Sequence, residues 1–119
     1  MILSTGIKVN PLHVELKVSD HPALKGCLMF GEGHTACGML LEPKQADAGK
    51  EELVNSMWSA IEKANLTVPE VARVGRNLII VAIAEKPFTR AGKGTTVRKL
   101  TLKTYEDEID AIYSQAGLG

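Results

Sequence analysis

The chain has 119 residues, a formal net charge of zero from 14 basic and 14 acidic side chains, and 45% hydrophobic residues. That describes one domain with apolar material for a single core, and the charge balance gives no general attraction to nucleic acid or membrane. No apolar run nears the ~20 residues needed to span a bilayer, and Met1-Ile2-Leu3 is too short and uncharged for a signal peptide. Two cysteines make no disulfide framework. Cys27 and Cys37 both sit in apolar stretches and read as buried free thiols in a reducing, cytoplasmic compartment, with a cross-hairpin disulfide as the alternative. His13, His21 and His34 share no short ligand spacing, and no Cys-x2-Cys is present, so no metal site is expected.

In chain order, residues 1–3 and 7–9 flank Ser4-Thr5-Gly6 and read as a short hairpin turning at the glycine. Asn10-Pro11 offers an N-cap followed by a proline at the first helical position. The next stretch reads two ways. Leu12, Val14, Leu16 and Val18 alternate with polar residues at strand period, while Asn10-Pro11 and His21-Pro22 frame a helix. Residues 24–30 and 36–41 are strand-like, joined through Gly31-Glu32-Gly33-His34 into an antiparallel hairpin. Residues 50–65 form a helix, with Leu53, Val54, Met57, Trp58 and Ile61 on one face. Trp58 on that stripe reads as core. Val68-Pro69 opens a short helical turn, and residues 77–84 are apolar enough for a buried central strand. Thr95 or Thr96 caps a last helix to about residue 115, with Leu102, Tyr105, Ile109 and Ile112 along one face. The expected fold is α+β: a small three-stranded sheet with packed helices, plus an N-terminal β-hairpin.

The chemistry-bearing stretch is Pro87-Phe88-Thr89-Arg90-Ala91-Gly92-Lys93-Gly94-Thr95. Two glycines around one lysine remove side-chain bulk and permit turns closed to other residues. This presents an ammonium on a loop, suited to an anionic reaction centre. A Gly-Lys-Gly triplet alone also fits an ordinary solvated turn. It is not a phosphate-binding Walker loop, because Pro87 stands where the first glycine belongs and Gly94 where the hydroxyl belongs. From Lys86 to Tyr105 there are six basic residues and no acid, followed by Glu106, Asp107, Glu108 and Asp110. On one continuous helix, both charge groups oppose the dipole, each at about 0.3–1 kcal/mol. Two readings stay open: an anion-attracting surface, or a solvated helix with pairs such as Lys103 with Asp107. No aromatic platform accompanies the patch, which argues against RNA.

The whole of Lys86 to Tyr113 closely resembles the end of the adenylation domain in fungal nonribosomal-peptide-synthetase-like enzymes, members of the adenylate-forming superfamily. Leu3-Ser4-Thr5-Gly6-Ile7-Lys8-Val9-Asn10-Pro11-Leu12-His13-Val14-Glu15 resembles the glycine loop that opens that family's small C-terminal subdomain. His21-Pro22, Phe30-Gly31-Glu32-Gly33 and Leu41-Glu42-Pro43 fit between them, so the resemblance runs in order along the chain.

The resemblance implies that residues 1–119 are the small lid subdomain of a carboxylic-acid-activating adenylation domain, and that residues 11 to about 21 are helical. It assigns Lys93 as the catalytic lysine of acyl-adenylate formation. Arg90, Gly92 and Gly94 support that loop, and Gly6 lies in a loop facing the tunnel of an incoming thiol. It further implies a large subdomain in cis before Met1, which mainly binds ATP and Mg. A downstream carrier domain bears the phosphopantetheine. Nucleic-acid and membrane partners are not expected, and the fragment alone is expected to be inactive. Two alternatives stand beside this reading: the lid of a free-standing acyl-CoA synthetase, and a non-catalytic α+β interaction module.

Overall fold

Asn10 and Pro11 decide the ambiguous segment in favour of a helix. In the computed structural model, which describes residues 1–45, 49–92, 94 and 96–118, α1 spans Pro11–Ser19. The Asn10 side chain accepts the Leu12 N–H at 3.2 Å, and proline occupies the first turn. The strand-like alternation splits across the helix. Val14 and Val18 lie four apart and are buried, whereas Leu12 and Leu16 are 56% and 67% exposed.

The sheet has the order β1-β2-β3. β1 (Leu24–Phe30) pairs antiparallel with β2 (Cys37–Pro43), and β3 (Val74–Val81) pairs parallel with β2. A parallel neighbour requires a crossover, supplied by α2 (Lys50–Asn65) and a short 3-10 turn at Glu70–Ala72 after Pro69. β3 starts and stops earlier than the apolar run suggests. The Asn65 side chain holds both Val74 N–H (2.9 Å) and Val74 C=O (3.1 Å), which fixes the start. At the far end the Tyr105 hydroxyl takes the Ile83 N–H and draws the chain off the ladder.

Alternation along the strands divides the core. Cys27, Met29, Met39, Leu41 and Ile79 face α1 and α2, while Leu28, Phe30, Leu40, Leu78 and Ile80 face the C-terminal helices. Each such buried side chain contributes roughly 1.5–3 kcal/mol. Leu53, Val54, Met57 and Ile61 of α2 are buried; Trp58 is half-buried at the margin, with the Arg76 guanidinium 5.3 Å from its ring centre. Cys27 lies opposite Leu41 and Cys37 opposite Val74, so the register excludes a cross-hairpin disulfide, and both thiols are free and buried. Burial, with the Glu15 charge adding to it, pushes the Cys27 thiol up to about 12.

The expected single C-terminal helix is two: α3 (Arg98–Thr104) and α4 (Glu106–Gln115), broken at Tyr105 (φ −102°, ψ 15°). The break reverses the dipole argument for the acids, while Arg98 and Lys99 stay in the first turn of α3, as expected. Glu106, Asp107 and Glu108 become the first turn of α4, and Lys103 the last turn of α3, each where the dipole favours that charge. No Lys103–Asp107 pair occurs among the described ion pairs. The N-terminal hairpin is reduced to one antiparallel bridge, Ile2 to Lys8. The architecture is α+β, with the three-stranded sheet between helical layers. Among the described residues, no helix is long and apolar enough to cross a membrane.

Candidate functional site

The glycine turn is built from its backbone. Gly6 has φ +84°, a conformation costly for any residue with a Cβ. Its N–H donates to Leu3 C=O at 2.9 Å, and Leu3 N–H donates to Ile7 C=O at 3.0 Å. Leu3 and Val9 are buried beneath the turn. Two hydrogen bonds seat the hairpin on the β1–β2 connection: Ser4 N–H to His34 C=O (3.0 Å) and Gly33 N–H to Ile2 C=O (2.9 Å). The flank is open, since a Cβ on Gly6 would meet no heavy atom within 4 Å.

The second loop leaves β3 and returns at α3. Phe88 is buried, and its N–H donates to Glu42 Oε2 at 3.0 Å. Arg90 grips the same carboxylate with both terminal nitrogens, Nη2 to Oε1 and Nη1 to Oε2. Gly26 makes room: a Cβ there would stand 3.3 Å from both Arg90 Nη2 and the Phe88 ring. Thr89 C=O accepts the Val97 N–H at 2.7 Å, Thr89 N–H donates to the buried Thr101 hydroxyl at 3.0 Å, and Arg90 bridges antiparallel to Thr96. These contacts close a neck. Beyond it Ala91, Gly92 and Gly94 are exposed; Gly94 has φ +80° and donates to Ala91 C=O at 2.8 Å. Lys93 and Thr95 lie outside the described residues.

Past the neck, Arg98 pairs with the buried carboxylate of Glu15 on α1 and donates to Met29 C=O at 3.3 Å, while Glu15 Oε2 accepts the Met29 N–H at 2.6 Å. A cation in the first turn of α3 thus finds its counter-charge outside the helix. Burial alone would raise the Glu42 pKa, but Arg90 and the Phe88 N–H outweigh it and hold the carboxyl below the usual carboxylate range.

Among the described residues the two loops do not meet. β3 runs parallel to β2 with Val81 beside Leu41, so the second loop leaves the sheet at that end, and its neck is held by Glu42 of the same strand end. The glycine turn rides on the opposite end, between Phe30 and Cys37. Of the basic run, Lys86, Arg90 and Arg98 are neutralised by Glu108, Glu42 and Glu15. Lys99 and Lys103 edge a groove of about 770 Å³ with Leu12, Phe30 and Ile109.

Reading the sequence singled out Arg90, Gly92, Gly94 and Gly6 but not Glu42, Glu15, Thr101 or Tyr105, whose partners lie far off in the chain. The available signal was an acid inside an apolar strand, Leu40-Leu41-Glu42-Pro43, which a buried strand keeps only with a partner.

The chain matches the family described as AMP-binding enzyme C-terminal domain over residues 1–117. It is 36% identical over 119 residues to an adenylate-forming reductase of Serpula lacrymans, covering 95% of this chain and 11% of that protein. It is 30% identical over 122 residues to a carboxylic acid reductase of Neurospora crassa, covering 100% of this chain and 12% of that protein. The chain therefore spans about a tenth of these relatives. Among solved structures it superposes on the A domain of the carboxylic acid reductase of Segniliparus rugosus, in complex with AMP and a co-purified carboxylic acid. The TM-score is 0.78 at 16% identity, over 98% of this chain and 20% of that one.

Proposed function

Because the chain belongs to the family of AMP-binding enzyme C-terminal domains, we propose that residues 1–119 are the mobile lid of an adenylation enzyme that activates a carboxylic acid with ATP. Lys93 serves acyl-adenylate formation, and the lid then turns so that the Gly6 loop faces the adenylate when a carrier-borne thiol arrives. The observation that carries this reading is the placement of the two loops toward opposite ends of one sheet. A single rigid body so built presents them to one reaction centre only in turn.

In the first half-reaction a carboxylate oxygen attacks the α-phosphorus of Mg-bound ATP and pyrophosphate leaves. Like charges must approach, and negative charge grows on the phosphorus. A lysine held in a water-excluded site lowers that barrier as a compact point charge. Arg90 is held by Glu42 at the base of the loop, so its part is to support the loop. The exposed Gly92 and Gly94 allow close approach of the tip.

In the second half-reaction the thiol displaces AMP, giving a thioester. The open space around Gly6 fits passage of a thin phosphopantetheine arm. The names of the relatives, adenylate-forming reductase and carboxylic acid reductase, favour reductive release of that thioester by the whole protein.

Lys93→Ala in the full-length enzyme tests the assignment. Acid-dependent ATP–pyrophosphate exchange should fall by about 10²–10³, while thiol transfer from supplied acyl-adenylate survives. Wild-type exchange would refute the catalytic role, and equal loss in transfer would refute the two orientations.

A further inference from the structure

A buried acid on the central strand needs a reason beyond stability. β2 is buried throughout, and a well-packed apolar residue in place of an ion pair is often as stabilising or more so. What Glu42 provides instead is direction. Its two oxygens take three donors from one short segment: Phe88 N–H and the two prongs of Arg90. The guanidinium also stands 5.7 Å from the Phe88 ring centre, and its Nη1 donates to Phe88 C=O at 3.5 Å. Gly26 on the adjacent strand leaves the gap through which this arrangement passes. Backbone and side chain of the stem are therefore both referenced to one carboxylate on a fixed strand, three residues before Lys93.

We propose that Glu42 is a positioning residue for adenylation: by holding Arg90 and the Phe88 N–H it sets the direction in which the neck presents Lys93. This rests on the assignment of Lys93 above. Glu42 touches neither substrate, and it acts on one half-reaction only, because the glycine turn is seated on Gly33 and His34 at the other end of the sheet, without Glu42.

The test uses the full-length enzyme with Glu42→Gln, and with Glu42→Gln/Arg90→Met, in which the Gln carbonyl still accepts the Phe88 N–H while no unpaired charge is buried. Misplacing a catalytic group by about 1 Å can cost about 10²-fold. Pyrophosphate exchange should fall about 10- to 100-fold in kcat in both variants. Thiol transfer from supplied acyl-adenylate, measured on the same preparations, should stay at the wild-type rate and so report an intact lid. Wild-type exchange in the double variant overturns the proposal, as does equal loss in both half-reactions, which marks a merely structural pair. Lys93→Ala is run alongside. If it exchanges normally the underlying reading fails; if it is crippled while the Glu42 variants are normal, the positioning role alone fails.

Discussion

Tyr105 and Lys86 touch twice. The Tyr105 hydroxyl donates to Lys86 C=O at 2.5 Å, and the Lys86 ammonium stands 4.6 Å from the centre of the Tyr105 ring. The same hydroxyl accepts the Ile83 N–H at 3.1 Å. One phenol at the break between α3 and α4 thus closes the bend by which the chain leaves β3. Tyr105→Phe keeps the ring and leaves both backbone groups short of a partner. Urea unfolding should show a loss of about 1–3 kcal/mol; a change within a few tenths would mean that the bend holds without it.

The Glu42 carboxyl makes stability depend on pH. Its folded pKa is depressed, so between that value and the unfolded value of about 4.3 the unfolded chain binds more protons. The pair's contribution is complete above the unfolded pKa and is lost as pH falls through the folded one. Thermal unfolding of wild type and Glu42→Gln from pH 7 downward should show curves that converge on the acid side. A constant gap down to pH 2 would contradict the assignment.

Gly38 and Gly92 should respond oppositely to alanine. A Cβ on Gly38 would stand 2.4 Å from Leu78 C=O and from the Phe30 ring, whereas one on Gly92 meets nothing within 4 Å. Gly38→Ala should cost about 1–3 kcal/mol or more by overpacking, and Gly92→Ala less than about 0.5 kcal/mol. Equal melting temperatures for the two variants would refute the packing around Phe30.

Gly6→Trp should spare adenylation and block thiol transfer. The φ of +84° penalises any side chain, by about 1–3 kcal/mol, so Gly6→Ala is the control that carries strain without bulk. Transfer lost equally in both variants would place the effect in the turn's conformation and not in blocked passage.

The elements governed by local rules were legible in the sequence. Asn10-Pro11 offered a helix start against the strand-like alternation of Leu12 to Val18, and the stripe on α2 needs only period 3.6. The break at Tyr105 was not legible, because the pattern from Leu102 to Ile112 suits a continuous helix and the Tyr105 hydroxyl's partners, Ile83 and Lys86, lie 22 and 19 positions back. Arg90 was picked out as a neighbour of Lys93, but its partner lies 48 positions away, and that of Arg98 lies 83 positions away. Nothing in the local pattern of either arginine says whether it faces water or a buried acid. That is decided only when α1 and β2 are packed. The dipole argument held for Arg98 and Lys99 and failed for the acids, which begin a helix of their own after Tyr105.

The seating of the N-terminal hairpin has a mechanical consequence. Val9 N–H is bonded to Met1 C=O, Ser4 to His34, and Gly33 to Ile2; the His34 ring is stacked on Tyr113 at 3.7 Å, and the Tyr113 hydroxyl donates to Ala36 C=O at 2.6 Å. Force applied to the hairpin therefore reaches the sheet and α4 through a few hydrogen bonds and one ring stack. A twist of the hairpin is carried into the sheet, and the neck held by Glu42 lies toward the sheet's other end. The hairpin and the neck are thereby displaced together, as parts of one body.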